Sequence, residues 1–253
     1  MLIDTHCHLD AVEFDADREA VYAAAIAAGI GRMVVPAVAV DGFSKTKMVV
    51  EHFPGCVAAY GIHPLYVTRA AETDLNILRD WLVREKPLAV GEIGLDHFVT
   101  DIDLARQEYF FVEQLKLASA FDLPVLLHVR RAVDPILKQL RRFRVRGGIA
   151  HAFNGSRQQA DTFINLGFGL GFGGAMTFSG STRIRELAAT LPLESIVLET
   201  DAPDIPPAWL NGGRNSPAEL SRIASVLAEL RGMSREDVIT VTAGNARRIL
   251  PGI

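Results

Sequence analysis

The sequence predicts a single TIM-type (β/α)8 barrel over residues 1–253, an α/β fold class to which three observations point. Short runs rich in Val, Ile and Leu alternate eight times with longer segments of helical spacing. No linker rich in Gly, Ser or Pro and no block of charge divides the chain. The length of 253 residues also matches one such barrel.

The eight predicted strands are apolar throughout, as expected for parallel strands buried between a barrel interior and a layer of helices. In chain order they cover residues 2–7, 32–37, 56–62, 88–93, 124–129, 148–152, 167–172 and 195–200. The alternative, a doubly wound open sheet, would carry a glycine-rich phosphate loop after its first strand. Here that place holds HCH, so the barrel is favoured.

Two segments show the clearest helical signals. DADREAVYAAAIAAG, residues 15–29, is rich in Ala, begins with Asp15 or Asp17 as a cap and ends at Gly29. ARQEYFFVEQLKLASAF, residues 105–121, repeats apolar residues every three or four positions, as an amphipathic helix does. Around strand seven, GLGFGGAMTFSG lacks the spacing and the Lys of a phosphate loop, so its glycines indicate close packing or a tight turn.

The composition indicates a globular protein, with 49% hydrophobic and 22% charged residues and no run of 18 uncharged apolar residues. Because the first residues already read as a strand, we expect no secretory signal peptide, a cytoplasmic location and no membrane partner. Cys7 and Cys56 are expected to be buried free thiols. The net charge of −4 lacks the basic character of proteins that neutralise many phosphates, so any nucleic-acid contact must be local.

Six of the seven histidines fall where the predicted strands end, which is where TIM barrels carry their chemistry. They are His6, His8, His63, His97, His128 and His151; only His52 lies elsewhere. Residues i and i+2 of a strand point the same way, so His6 and His8 are predicted to aim into the barrel mouth. That spacing suits two ligands of one metal ion, although a lone strand histidine is more often structural.

Two carboxylates complete the pattern, Glu92 at the predicted end of strand four and Asp201 at that of strand eight. An acid among apolar strand residues is costly to bury unless it binds a metal, a cation or strong hydrogen-bond donors. Metal ligation is the favoured account; the alternatives are a salt bridge inside the barrel for Glu92 and capping of the turn before Pro203 for Asp201. Glu199 is predicted to point to the same side as Asp201, where it would hold a histidine or an arginine.

The motifs HxH, GIHP, GEIGLD, LLHVR, HAFNGS and ETDAP, in this order over almost the whole chain, resemble those of the TatD family of metal-dependent deoxyribonucleases, and in detail its YjjV branch. The resemblance implies an amidohydrolase-like barrel that holds two divalent metal ions, Mg, Mn or Zn. It implies these metal ligands, with Glu92 shared between the two ions: His6, His8, Glu92, His128, His151 and Asp201. It also implies that His63 faces the substrate. Where many members follow GLD with two aromatics and an arginine, this chain has His97, Phe98 and Val99.

These observations predict a metal-dependent hydrolase that acts on ester bonds and cleaves DNA, single-stranded or at chain ends, by attack of a metal-activated water. Asp201 is the predicted general base, with Glu92 as the second catalytic carboxylate. Arg130 and Arg214, in top-face loops like Arg131, are the predicted substrate contacts, with a structural salt bridge as the equal alternative for each of the three. No obligate protein partner is predicted.

Two other readings stay open. The same metals could serve a small-molecule esterase, lactonase or amidohydrolase, which the acidic net charge and the lack of a long basic groove favour. The second alternative is a non-catalytic barrel that only binds a partner. Trp209 would then either stack on a base or anchor its own loop. The basic run RRFRVRGG at 141–148 falls at the bottom of the barrel and is predicted to be a solvated helix end.

Overall fold

The computed structural model describes all residues, Met1–Ile253, and confirms the predicted barrel. Eight parallel strands pair in chain order from first to last. The strands are β1 (Leu2–Asp4), β2 (Ile30–Pro36), β3 (Cys56–Tyr60), β4 (Ala89–Asp96), β5 (Val125–Arg130), β6 (Gly148–Ala150), β7 (Phe168–Phe172) and β8 (Ile196–Leu198). The helices are α1 (Arg18–Ala27), α2 (Phe43–His52), α3 (Asp74–Glu85), α4 (Leu104–Ala120), α5 (Val133–Arg142), α6 (Arg157–Asn165), α7 (Thr182–Thr190), α8 (Leu220–Arg231) and α9 (Arg235–Ile249).

One apolar cluster fills the lower part of the barrel and shows which end is closed. It takes one residue from each of seven strands and joins them to α9 and its C-terminal end. Its members are Ile3, Val34, Ala59, Ala89, Leu126, Ile149, Val197, Ala243, Ala246, Ile249 and Leu250. Because α9 covers the N-terminal ends of the strands, the C-terminal ends form the open mouth. His128 lies two residues after Leu126 on β5 and therefore points into the same interior, closer to the mouth.

The seam between β8 and β1 is joined just above the two strands. The backbone N–H of Thr5 donates to the carbonyl of Leu198 at 3.1 Å, and the N–H of Asp201 donates to the carbonyl of His6 at 2.8 Å. These bonds bring the first and last strands together and nearly close the barrel.

The predicted ends of five strands, β1, β3, β4, β6 and β8, are wrong by two or three residues. At β1 and β8 the hydrogen bonds of the seam explain the difference. β1 ends at Asp4 and β8 at Leu198, so His6, His8 and Asp201 lie in the segments that form the seam and not on strands. β4 runs on to Asp96, so Glu92 lies inside this strand, where its register with β5 shifts. Such irregularities redirect a side chain and are common beside active sites.

Other sequence predictions are confirmed. α1 begins just after Asp17 and is followed by Gly29, whose φ of +90° is a left-handed conformation that glycine adopts without strain. Cys7 and Cys56 are buried free thiols. No helix combines the length and the apolar character needed to cross a bilayer.

Candidate metal centre

Four predicted ligands meet at the first half of the mouth. Oε2 of the buried Glu92 lies 3.2 Å from Nε2 of His6 and 3.5 Å from Nε2 of His8. The two Nε2 atoms are 3.3 Å apart, and each is 3.6 Å from Oδ1 of Asp201. Atoms that bind one ion tetrahedrally at about 2.1 Å lie about 3.4 Å from each other. Nε2 of His6, Nε2 of His8 and Oδ1 of Asp201 are therefore spaced as ligands of a single metal ion, and Glu92 lies beside them.

The other oxygen of Glu92 faces a second group of imidazoles. Oε1 lies 3.0 Å from Nδ1 of His128 and 3.5 Å from Nε2 of His151. It is also 3.5 Å from Nε2 of His63. Glu92 thus stands between two sets of histidines, with one oxygen turned to each.

The rings are held so that the required nitrogen faces the centre. Nδ1 of His8 donates to the carbonyl of Pro36 at 3.2 Å, which leaves the Nε2 lone pair free for a metal. Nδ1 of His151 lies 3.4 Å from Oε1 of Glu199, so the predicted role of Glu199 fits the structure. A side chain at Gly171 would place its Cβ 2.1 Å from Oε2 of Glu199. This glycine of the β7 segment is needed for close approach of the carboxylate, as its sequence suggested.

Asp96 orients His128 and was not identified from the sequence. Its Oδ2 lies 3.0 Å from Nε2 of His128, while Oδ1 accepts from the backbone N–H of Phe98 at 2.8 Å and of Val99 at 3.1 Å. With its Nε2 proton donated to Asp96, His128 presents the lone pair of Nδ1 to the side of the centre where Glu92 lies. The only sequence signal is a second acid in GEIGLD, four residues after Glu92.

His63 is held in a tautomer that suits hydrogen-bond donation. It precedes a short 3-10 helix at Pro64–Tyr66, and its Nδ1 accepts from the backbone N–H of Leu65 at 3.2 Å. The ring proton of neutral His63 is then on Nε2, the atom that faces the centre. A protonated Nε2 cannot bind a metal but can donate to a substrate, in keeping with the predicted role of His63.

The charges of the centre are strongly coupled. Burial alone would raise the pKa of Glu92, but the surrounding imidazoles hold it well below its usual range. Burial raises the pKa of Asp201 to about 6 although neighbouring imidazoles oppose the shift. The rings of His6 and His151 stack at 3.9 Å, and burial followed by the charge of His151 lowers the pKa of His6 to about 3. The nearby carboxylates of Asp201 and Glu92 outweigh burial and raise the pKa of His151 to about 10, so of the two stacked rings only His6 is neutral.

The remaining candidates lie around the rim. Arg130 is exposed near Asp96, whereas Arg214 is paired through both terminal nitrogens with Asp17, at 2.9 and 2.6 Å. Trp209 donates to Glu219 at 2.7 Å and packs against the core, as a loop anchor does. The structure does not bring His97 into the ligand groups.

Comparison with known proteins assigns the chain to a family. The family profile described as TatD related DNase matches residues 3–251. The chain belongs to the TatD family. It is 40% identical over 246 residues to the metal-dependent hydrolase YjjV of Escherichia coli K12, covering 96% of this chain and 95% of that protein. The crystal structure of YjjV superposes with a TM-score of 0.95 at 38% identity, over 98% of this chain and 97% of that one.

A mouse relative, TATDN3, provisionally named a deoxyribonuclease, is 31% identical over 263 residues, covering 99% of this chain and 88% of its own length. This TatD-family chain is a metal-dependent hydrolase, and its donor set fits that chemistry. Imidazole nitrogens with carboxylate oxygens suit Zn, Mn, Fe or Ni, whereas Mg prefers oxygen alone. Nδ1 of His6 is buried without a hydrogen-bond partner. The polar contacts of this ring in the centre are therefore made by Nε2 alone.

Proposed function

We propose that this TatD-family hydrolase is a deoxyribonuclease that holds two divalent ions and cleaves phosphodiester bonds of DNA. The observation that supports it most is the position of Glu92, whose two oxygens face separate groups of imidazoles. Two ions a few Å apart are the arrangement that many phosphodiester-cleaving enzymes use. Mg, Mn or Zn are the candidate ions, and metal analysis of protein purified without chelator would identify them.

The ligands divide between the two ions. We assign His6, His8 and Asp201 to the first ion, with Oε2 of Glu92. The second ion would be held by His128 and His151, with Oε1 of Glu92. When bound, such ions lower the pKa of a coordinated water and polarise a phosphoryl oxygen.

Asp201 and His63 are the residues that would handle protons. Oδ1 of Asp201 faces the first ligand group, which leaves Oδ2 to take the proton of the attacking water as general base. The backbone of Asp201 is in the left-handed region, with φ of +57°, a conformation that places its side chain beside the seam. The Nε2 proton of His63 would donate to an oxygen of the scissile phosphate.

Hydrolysis of single-stranded DNA by metal-loaded protein tests the proposal, with Asp201→Asn and His6→Ala measured beside the wild type. Loss of cleavage in both variants would support a metal-dependent nuclease. Arg130 remains a proposed substrate contact, and Arg214 remains one that would first have to separate from Asp17. The cytoplasm as the place of action, one domain over the whole chain and the lack of an obligate protein partner also remain proposals.

A small-molecule hydrolase is the second candidate. The net charge of −4 favours it, because the chain lacks the overall basic character of proteins that neutralise many phosphates. A protein that binds two ions but leaves DNA intact, while cleaving an ester, a lactone or an amide in a substrate panel, would replace the first proposal with this one.

A further inference from the structure

Three exposed arginines near the second ligand group have guanidinium groups that are almost free of carboxylates. Arg69 and Arg131 take part in no ion pair, and the single ion pair of Arg130 is at 4.0 Å, to an Asp96 oxygen that already binds His128. Most basic side chains of a folded surface find a carboxylate or a carbonyl. Arg214 on the opposite side of the mouth does so with Asp17. Arg69, Arg130 and Arg131 therefore leave positive charge available beside the second ligand group.

Each of these arginines lies over an aromatic ring. The guanidinium carbons of Arg130 and Arg131 are 3.9 and 4.6 Å from the ring centroid of Phe98. That of Arg69 is 4.3 Å from the ring centroid of Tyr66. Phe98 is 44% exposed, although a large apolar side chain on a loop would normally pack inward. We call Tyr66, Arg69, Phe98, Arg130 and Arg131 the rim cluster.

A series of consecutive contacts connects the rim cluster to the catalytic centre. The backbone N–H of Phe98 is bound by Asp96, which also binds His128. The ring of His128 meets that of His63 at 4.3 Å between centroids, and His63 meets Tyr66 at 5.9 Å. A molecule lying on the rim cluster would thus lie beside Nε2 of His63 and the second ion.

We propose that the rim cluster binds the strand next to the scissile phosphate. Arg130 and Arg131 would turn from Phe98 to backbone phosphates and so free its ring for one unpaired base, while Arg69 binds a further phosphate. This inference rests on the proposed nuclease function and adds a direction to it, because the strand crosses the mouth over the loops that follow β3, β4 and β5. Guanidinium groups bind phosphate through two parallel hydrogen bonds, and aromatic rings stack on any base face. A base in a duplex has no free face for Phe98, so the site selects single strands.

Binding can be measured without cleavage. Metal-loaded protein is titrated into a fluorescein-labelled oligothymidylate with phosphorothioate linkages, and anisotropy is followed at several salt concentrations. Phe98→Ala should raise Kd about 5- to 100-fold, the loss that corresponds to one stacked base, and Phe98→Tyr should restore binding. Replacing Arg69, Arg130 and Arg131 by Gln should reduce the salt slope of log Kd by about 2, or about 0.7 for each phosphate.

The bottom of the barrel provides a matched control. Arg141, Arg142 and Arg144 are exposed there, and Arg142 lies 5.6 Å from the ring centroid of Phe143. Their replacement by Gln removes the same charge and should leave Kd and its salt slope unchanged. Tyr66 is kept, and the four rim side chains that are replaced are all exposed. Thermal unfolding of each variant verifies its fold.

Five outcomes decide between these possibilities. Weaker binding in the Phe98→Ala and rim arginine variants, with the bottom variant unchanged, supports the rim cluster. Equal effects of the two arginine triples, or a Phe98→Ala variant with wild-type affinity, would overturn it while DNA cleavage by the wild type keeps the nuclease proposal. Duplex DNA that binds as tightly as single strands would also overturn it. A wild type that neither cleaves nor binds DNA would end both proposals.

Discussion

The isosteric change Asp96→Asn should weaken the second metal site while leaving the first intact. In the native chain Oδ1 of Asp96 accepts from the N–H groups of Phe98 and Val99, and Oδ2 accepts from Nε2 of His128. In Asn only the carbonyl oxygen can accept from the two backbone groups, so the NH2 group turns to His128. The proton of neutral His128 then moves to Nδ1, the atom that faces Glu92 at 3.0 Å.

The size of the effect follows from this change of tautomer. To bind the ion through Nδ1, His128 would have to move its proton from Nδ1 back to Nε2. The charge-assisted hydrogen bond between Nε2 and Asp96 would also be lost. Loss of such an orienting partner weakens metal binding about 10- to 100-fold, which corresponds to about 1.4–2.7 kcal/mol. The loop after β4 keeps both backbone hydrogen bonds, so the variant should fold normally.

Calorimetric titration of the chelated protein with Zn or Mn measures both sites. We expect one binding step to weaken and the step assigned to His6, His8 and Asp201 to keep its affinity. The surface variant Asp122→Asn, which changes the same group far from the centre, is the control. Equal affinities in wild type and Asp96→Asn at both steps would refute the assignment of the His128 tautomer.

Three further changes test other parts of the structure. Chelation should lower the thermal midpoint in scanning fluorimetry, and metal at 100 times its Kd should restore about 2.7 kcal/mol; an unchanged midpoint would contradict the metal centre. Gly171→Ala should lower the free energy of unfolding in urea by about 1–3 kcal/mol because the added Cβ would meet Glu199. Gly180→Ala is its control and should leave the free energy of unfolding unchanged, because no atom lies within 4 Å of its added Cβ. Asn215→Ala removes a side-chain amide that donates to three carbonyls beyond β8, and should cost about 1–3 kcal/mol. Exposed Asn76→Ala is its control, and equal urea midpoints for the two would show that other contacts hold this loop.

The sequence could predict the barrel and the convergence of the ligands because both follow from local periodicity. Eight apolar runs give eight strands, and the C-terminal ends of parallel strands meet at one mouth. The alternate spacing of His6 and His8 brings their Nε2 atoms to 3.3 Å even though they lie beyond β1. Spacing of side chains depends on extended backbone and not on whether a neighbouring strand pairs with it.

Contacts between distant loops could not be predicted from the same signals. Arg214 reads as a free cation in a top-face loop, but Asp17, far away in sequence, occupies its guanidinium. Asp96 lies beyond the predicted end of strand four, and its importance depends on the register that places it opposite Arg130 and beside His128. Such pairings are set by the tertiary fold, which a single sequence does not encode in any short-range pattern.

The seam of the barrel links folding to the assembly of the first metal site. The N–H of Asp201 donates to the carbonyl of His6, and the N–H of His8 donates to the carbonyl of Ala202, both at 2.8 Å. The same bonds that join the ends of β8 and β1 therefore set three ligands at fixed spacing before any metal arrives. Below them the buried carboxyl of Asp4 accepts from the N–H of Thr200 at 3.0 Å and ties the two strands a second time. A metal that binds His6, His8 and Asp201 adds a third tie across the seam, so it should stabilise the contact between the first and last strands more than any other part of the barrel.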